Sequence, residues 1–274
     1  MPSPLNQQDF PRDSASRQAQ KPAGRLLVFL SAKGGAGSTT LATNFAVALA
    51  QKTDESTLLI DLDLPLGDAA LSLGIVGENS TIDALEAGAQ LDGESLKQLL
   101  VRHSAGVNVL PAPGRFLPCR VTGEGIDRLI AVARQSFDNV VVDAGSRLDL
   151  SASSLFHEAD IVYLVTQAGV PELRNANRLI ADYFSGAGAR LQIVLNRFGP
   201  RAPGISEEHV TRALTRPPDW KVPNDYIAVR EMQISAMPLV FAPSAIAATI
   251  RAMASAAIGA GMVETKKRGL GWFS

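Results

Sequence analysis

The sequence predicts an α/β fold: a mostly parallel central sheet flanked by helices on both faces. Short, continuous apolar runs recur along the chain, as expected of strands buried on both sides. A helical stretch follows most of them, and that alternation requires a parallel sheet covered by crossovers. At 274 residues and 46% hydrophobic content, the chain is long and apolar enough for one large core.

The elements follow in order. Residues 1–24 are rich in Pro, Ser, Gln and Arg and poor in large apolar groups, which predicts a disordered tail. Leu26-Leu27-Val28-Phe29-Leu30 is the first strand. After a Gly-rich loop, 40–51 is a helix dominated by Ala and Leu. A strand at 57–61 precedes short helical pieces at about 67–74, 81–88 and 93–102, and 107–110 is a short strand closed by Pro111. A helix over 126–135, a strand over 139–143 and a helix over 148–158 come next. Strand 161–166 leads into a helix opened by Pro171, which suits a first turn. Strand 191–196, a helix at about 205–215, a short strand or turn at 219–223, and helices at about 225–235 and 244–262 complete the fold. The Ala/Gly-rich segment 246–263 carries Arg251 and reads as a buried helix rather than a membrane span.

Lys and Arg number 26 against 27 Asp and Glu, a net charge of −1, which argues against a dedicated polybasic nucleic-acid binder, so DNA is not an expected partner. Cys119 is the single cysteine, excluding internal disulfides and one-chain thiolate metal sites; a reducing cytoplasm is the simplest compartment. No secretory signal opens the sequence.

The chemistry starts at Ser31-Ala32-Lys33-Gly34-Gly35-Ala36-Gly37-Ser38-Thr39-Thr40, between a predicted strand and a predicted helix. In that setting glycines let consecutive N–H groups turn toward an anion, and the helix N-terminus adds positive potential. Against the template G-x-x-x-x-G-K-[ST], Ala32 takes the first Gly position and Thr39 the Mg²⁺-ligating hydroxyl, while Ser38 stands where the Lys belongs. On the loop alone, a generic Gly-rich turn is an equal alternative. Lys33 before the double glycine, Asp61 and Asp63 at the end of one strand, and Asp143 at the end of another favour a nucleotide site. Strand ends gather at one sheet edge, where these carboxylates can hold Mg²⁺ or position a water. Asp68 reads as a helix N-cap. The competing dinucleotide reading, G-x-G-x-x-T with Asp61 on a ribose, leaves Lys33, Asp63 and Asp143 unexplained.

Lys33-Gly34-Gly35-Ala36-Gly37-x-Thr39, followed by an apolar helix and LLIDLD, resembles the deviant Walker A motif of the ParA/MinD family of P-loop ATPases. The resemblance covers about 25–258. DLDLPLGDAALSLGI, FDNVVVDAGSRLDLS, VLNRF, VPNDYIAVREMQISAMPLV and the terminal KKRGLGWF look most like its pilus-assembly (CpaE/TadZ) branch. The resemblance implies ATP and Mg²⁺ as ligands. Gly34, Gly35 and Gly37 would supply backbone N–H groups to phosphates, with Ser38 in the same loop. Thr39 would ligate Mg²⁺, Thr40 would approach the α-phosphate, and Lys33 would reach a partner subunit's nucleotide. Asp63 would position the hydrolytic water, with Asp61 near the metal and Asp143 as the Walker B acid. Asn196 would bond the adenine beside Pro223. It further implies an ATP-dependent homodimer and an assembly or localisation role at a Tad/Flp-type pilus or secretion machine on the inner membrane or at a cell pole. The implied alternatives are a partition-type ATPase cycling on DNA and a nucleotide-free scaffold.

Three features depart from the family. Ser38 carries no charge to span the β- and γ-phosphates, so hydrolysis is expected to be slow or absent. Branch members often carry an N-terminal receiver-like domain, where this chain has a short tail. The usual proline after the Walker B acid is missing from Asp143-Ala144-Gly145-Ser146. Arg147 is a candidate substitute for the missing lysine, against the plainer reading of a solvated Arg. The three histidines, His103, His157 and His209, show no metal-ligand spacing. Arg190, Arg197, Arg201, Arg212, Arg216 and Lys221 read as a solvated face. The expected nucleotide-binding domain is 25–263. The basic, aromatic tail 264–274 is equally a weak membrane-surface anchor or plain disorder.

Overall fold

A computed structural model describes residues 22–115, 121–187, 190–199 and 205–268, with side chains to 259. Eight strands form one sheet: β1 (Arg25–Ser31), β2 (Thr57–Asp61), β3 (Val101–Arg102), β4 (Asn108–Leu110), β5 (Asn139–Asp143), β6 (Ile161–Thr166), β7 (Leu191–Phe198) and β8 (Trp220–Pro223). Their order is β3-β4-β2-β5-β1-β6-β7-β8, parallel throughout except for the antiparallel edge pair β3–β4. The helices are α1 (Ser38–Lys52), α2 (Ala69–Ser72), α3 (Thr81–Ala87), α4 (Gly93–Gln98), α5 (Gly123–Ser136), α6 (Leu155–Glu158), α7 (Val170–Arg178), α8 (Glu207–Leu214), α9 (Tyr226–Ser235) and α10 (Ala245–Arg268). The predicted fold class is the observed one.

Alternate residues of β1 feed two separate cores, one on each face of the sheet. Leu26, Val28 and Leu30 pack with α5 residues Ile126, Leu129 and Ile130 and with Leu173 of α7. Leu27 and Phe29 pack with α1 residues Leu41, Phe45 and Leu49 and with Ile246, Ile250 and Met253 of α10. Phe29 stacks on Tyr163 with ring centroids 4.6 Å apart, and Phe45 of α1 meets Phe29 edge-on at 5.1 Å. This aromatic knot anchors the middle of α1 on β1 and β6.

Several boundaries differ from expectation for local reasons. The helix expected over 93–102 stops at Gln98, because Val101 and Arg102 pair with Val109 and Asn108 to make an edge hairpin. The helix expected over 148–158 is reduced to α6. Asp149 accepts bonds from the Ser151 N–H and hydroxyl, and Asp127 of α5 takes the Ser153 hydroxyl and the Ser154 N–H. Short polar side chains compete with helical bonding in this way. Helix 67–74 shrinks to α2, with Asp68 at its N-cap position but making no side-chain cap bond. The last helix runs past 262 to Arg268, so the expected boundary at 263/264 falls inside a continuous helix. Of the tail expected over 1–24, residues 1–21 lie outside the described residues, as do Cys119, Arg201 and the aromatic end at 269–274; Gly24 is not part of a loose tail but buried, with its N–H donating to Arg134 O at 2.7 Å. Among the described residues, no helix is long and apolar enough to cross a membrane.

Candidate functional site

The loop between β1 and α1 lies at the C-terminal edge of the sheet. Its entry is fixed by backbone bonds: Ser31 N–H donates to Gly145 O at 2.7 Å, and Ala32 N–H to Val165 O at 2.9 Å. Gly35 and Gly37 adopt positive φ values of 83° and 101°, a region closed to most side chains. Two side chains then hold the loop's carbonyls outward. Gln167 Nε2 donates to Gly35 O at 3.0 Å, and Asn196 Nδ2 to Ala36 O at 2.8 Å. With its carbonyls occupied, the loop is free to aim its N–H groups at a ligand. Helix α1 has no side-chain cap and no acid in its first turn, so its orphan N–H groups face the same space.

The carboxylates converge as the sequence predicted. Asp61 and Asp143 are register partners at the ends of adjacent strands, and both are fully buried. Asp61 accepts from Ala69 N–H at 3.0 Å and Asp63 N–H at 3.1 Å. A Cβ at Gly67 would overlap the Asp61 carboxylate, so glycine there gives it room. Burial, then the charge of Asp143, pushes the Asp61 carboxyl above its ordinary range against those two bonds. Burial likewise raises Asp143, opposed by the Thr39 hydroxyl, the Gly145 N–H and the Ser38 hydroxyl. Asp143 Oδ2 is buried and accepts no well-formed hydrogen bond among the described residues. Half-buried Asp63 lies over Gly145, which sits at φ 58° and leaves no space for a Cβ. Burial raises its carboxyl, the Arg147 guanidinium lowers it, and Asp68 raises it again. Arg147 itself is exposed.

Beyond the loop opens a cleft of about 430 Å³ lined by Gly37, Thr40, Asn196, Pro223, Tyr226 and Arg230, among others. Asn196 stands in its wall with both amide ends engaged, since Oδ1 accepts from Arg197 N–H at 2.9 Å; one N–H and one lone pair remain.

Nucleotide and Mg²⁺ fit these residues on three counts. The glycine cradle and uncapped helix start suit a phosphate chain. The orphaned Asp143 oxygen beside Thr39 suits a hydrated cation. The adjoining cleft suits a base. Ser38 is 4% exposed and faces Asp143, so nothing at that position supplies a positive charge. Lys33, Gly34 and Gly35 are exposed at the rim. The sequence does not point to Gln167 or to Glu172, the partner of Lys33 at 2.7 Å: they lie on other elements, and no local motif marks them. The histidines stand apart from this site. His103 lies in the β3–β4 turn, His157 against Tyr183, and His209 beside Ser206.

Comparison with known proteins agrees with this geometry. A family model described as an AAA domain matches residues 24–183. A putative septum site-determining protein MinD of Emiliania huxleyi is 29% identical over 180 residues, covering 64% of each chain. The chain therefore spans just under two thirds of the length of that curated relative. The crystal structure of a ParA family ATPase from Chlorobium tepidum superposes with a TM-score of 0.76 and 28% identity, over 85% of this chain and 99% of that one. A chain of the MinC:MinD cell division protein complex from Aquifex aeolicus shares the fold, with a TM-score of 0.72 and 23% identity over 86% and 96% of the two chains. The chain belongs to the family of this AAA domain and has the fold of the ParA/MinD P-loop ATPases.

Proposed function

We propose that the chain is an ATP-responsive dimerisation switch of the positioning class to which ParA and MinD belong. The observation that carries this reading is the loop itself: a glycine cradle with pinned carbonyls, an exposed Lys33 at its rim and buried carboxylates behind it. Gly34, Gly35 and Gly37 would bind phosphate oxygens through their N–H groups, and Thr40 the α-phosphate. Thr39 with Asp143, and Asp61 behind them, would hold Mg²⁺, which when bound neutralises phosphate charge. Asn196 and Pro223 would seat the base. Asp63, at the rim over Gly145, would orient water. Lys33 would cross to the nucleotide of a second subunit, so that two subunits join when their γ-phosphates match the two ammonium groups. The dimer's preference for ATP over ADP would then set the cycle.

The relatives named above are septum-site and ParA proteins. They favour a cycling ATPase of the partition and division-site kind over the pilus-machine role suggested by the sequence strings, and a MinC-like protein partner over a secretion component. The near-zero net charge weighs against the DNA-bound form of that cycle, and Ser38 predicts slow turnover. Calorimetric titration with Mg-ATP and Mg-ADP tests the reading. Binding of both, tighter for ATP at protein concentrations that permit dimers, is expected. No heat at millimolar ATP would leave a nucleotide-free scaffold.

A further inference from the structure

The cleft beyond the loop offers more than a nucleoside uses. The phosphate chain is assigned to the glycine loop, so only the nucleoside end enters the cleft, yet its volume of about 430 Å³ is one that whole small ligands fill. Two guanidinium groups line it, Arg197 from β7 and Arg230 from α9. Neither guanidinium has an ion-pair or hydrogen-bond partner among the described residues, whereas Arg216 pairs with Asp219 and Lys221 with Glu207. Arg197 is placed there by a local irregularity. The pairing of β7 with β8 slips between Leu195 and Phe198, and Arg197 sits at φ 53°, left-handed backbone that a long side chain rarely takes. A bulge of this kind re-aims a side chain. The Arg197 N–H donates to Asn196 Oδ1 at 2.9 Å, so the arginine is tied to the amide expected at the base. Asp225 is the acid that shares this lining, and its Oδ1 is occupied as the N-cap of α9, accepting from Ala228 N–H at 3.1 Å.

We infer that Arg197 and Arg230 form a subsite for a second anionic group, and that the nucleotide it selects is an adenine nucleotide phosphorylated on its ribose. The inference rests on the seating of the nucleotide proposed above and names the ligand class of that site. With Thr40 at the α-phosphate and Asn196 at the base, the ribose lies between them. Its 2′- and 3′-hydroxyls are then the positions from which a further group extends into the remaining cleft. Arg197 adjoins the base contact, and Arg230 comes from a separate wall, α9. An unsubstituted ribose offers these two forks no charge. A ribose phosphate offers them three oxygens, in the planar geometry that arginine grips with paired N–H groups. Allowing for solvent at the mouth of the cleft, the two contacts together raise affinity at least about tenfold.

The test uses the full chain and competition calorimetry. AMP, adenosine 2′,5′-bisphosphate and adenosine 3′,5′-bisphosphate are titrated into wild type, Arg230→Gln and Arg197→Gly/Arg230→Gln, each alone and against bound Mg-ADP. Glycine at 197 keeps the left-handed backbone without cost while removing the guanidinium. The quantity read is the ratio of bisphosphate affinity to AMP affinity within each protein, which cancels any general effect of a substitution on nucleotide binding. The subsite predicts that one of the two bisphosphates binds wild type at least about tenfold more tightly than AMP and displaces ADP; which of them does so identifies the ribose position. It predicts that this ratio falls in Arg230→Gln and approaches one in the double variant. A wild-type ratio near one for both bisphosphates overturns the subsite. So does an advantage that survives in the double variant, or a bisphosphate that binds without displacing ADP. If neither ADP, AMP nor either bisphosphate binds wild type, the nucleotide reading itself fails, and the subsite falls with it.

Discussion

Gly37→Ala probes the loop at its most constrained point. Gly37 caps α1 at φ 101°, ψ 23°, and its Cα faces the Asn196 amide so closely that an added Cβ would overlap Nδ2. Holding a non-glycine residue in left-handed backbone costs about 1–2 kcal/mol. Asn196 must also withdraw, breaking the 2.8 Å bond to Ala36 O and the 2.9 Å bond from Arg197 N–H. At about 1 kcal/mol net for each hydrogen bond, the total comes to about 3–4 kcal/mol. Urea unfolding of the nucleotide-free protein reads this as a lower midpoint at unchanged slope. Calorimetry should show ATP affinity falling by more than about tenfold, a loss of at least about 1.4 kcal/mol, because the Ala36 carbonyl is no longer held outward. The double variant Gly37→Ala/Asn196→Ala removes the overlap but not the backbone strain, so the second substitution should add less than it costs alone. A Gly37→Ala protein within 0.5 kcal/mol of wild type, on the order of ordinary surface substitutions, would refute the reasoning.

Three further outcomes follow from the carboxylates and the serine. Asp61 and Asp143 both have raised carboxyls in the folded state, so the folded protein binds more protons than the unfolded chain at pH above the ordinary value of 3.8. Stability of the nucleotide-free protein should therefore fall as pH rises from there toward neutrality, and Asp143→Asn should flatten that slope in urea titrations while weakening Mg-ATP binding. Gly67→Ala should destabilise by about 2–3 kcal/mol, because the Asp61 carboxylate has nowhere to go in a buried site; thermal unfolding within a degree of wild type would contradict this. Ser38→Lys places an ammonium beside Asp143 and the phosphate cradle, and should raise the steady-state rate of phosphate release at least about tenfold; an unchanged rate would mean that the missing charge does not limit turnover.

How much was legible in the sequence depended on whether a residue's role was local. The central strands announced themselves as apolar runs because both faces are buried, and the glycine loop because its φ values admit little else. The convergence of Asp61, Asp63 and Asp143 followed from parallel topology alone, since strand ends must share an edge. What stayed hidden was settled by residues distant in sequence. Asp127 unwinds 148–154 by taking bonds from Ser153 and Ser154, and nothing within that stretch records it. Gln167, just past β6, and Glu172, on α7, reach the loop from more than 130 residues away. Arg147, a candidate to replace the Walker lysine, lies close enough to Asp63 for its charge to lower that carboxyl.

Dimerisation itself tests the switch most directly. Wild type and Lys33→Ala are followed by light scattering with Mg-ATP, with Mg-ADP and without nucleotide. The switch predicts a doubling of mass for wild type in Mg-ATP alone, and a single-subunit mass for Lys33→Ala in all three conditions while it still binds nucleotide. A wild-type mass indifferent to ATP, or a Lys33→Ala protein that doubles with ATP as wild type does, would contradict it.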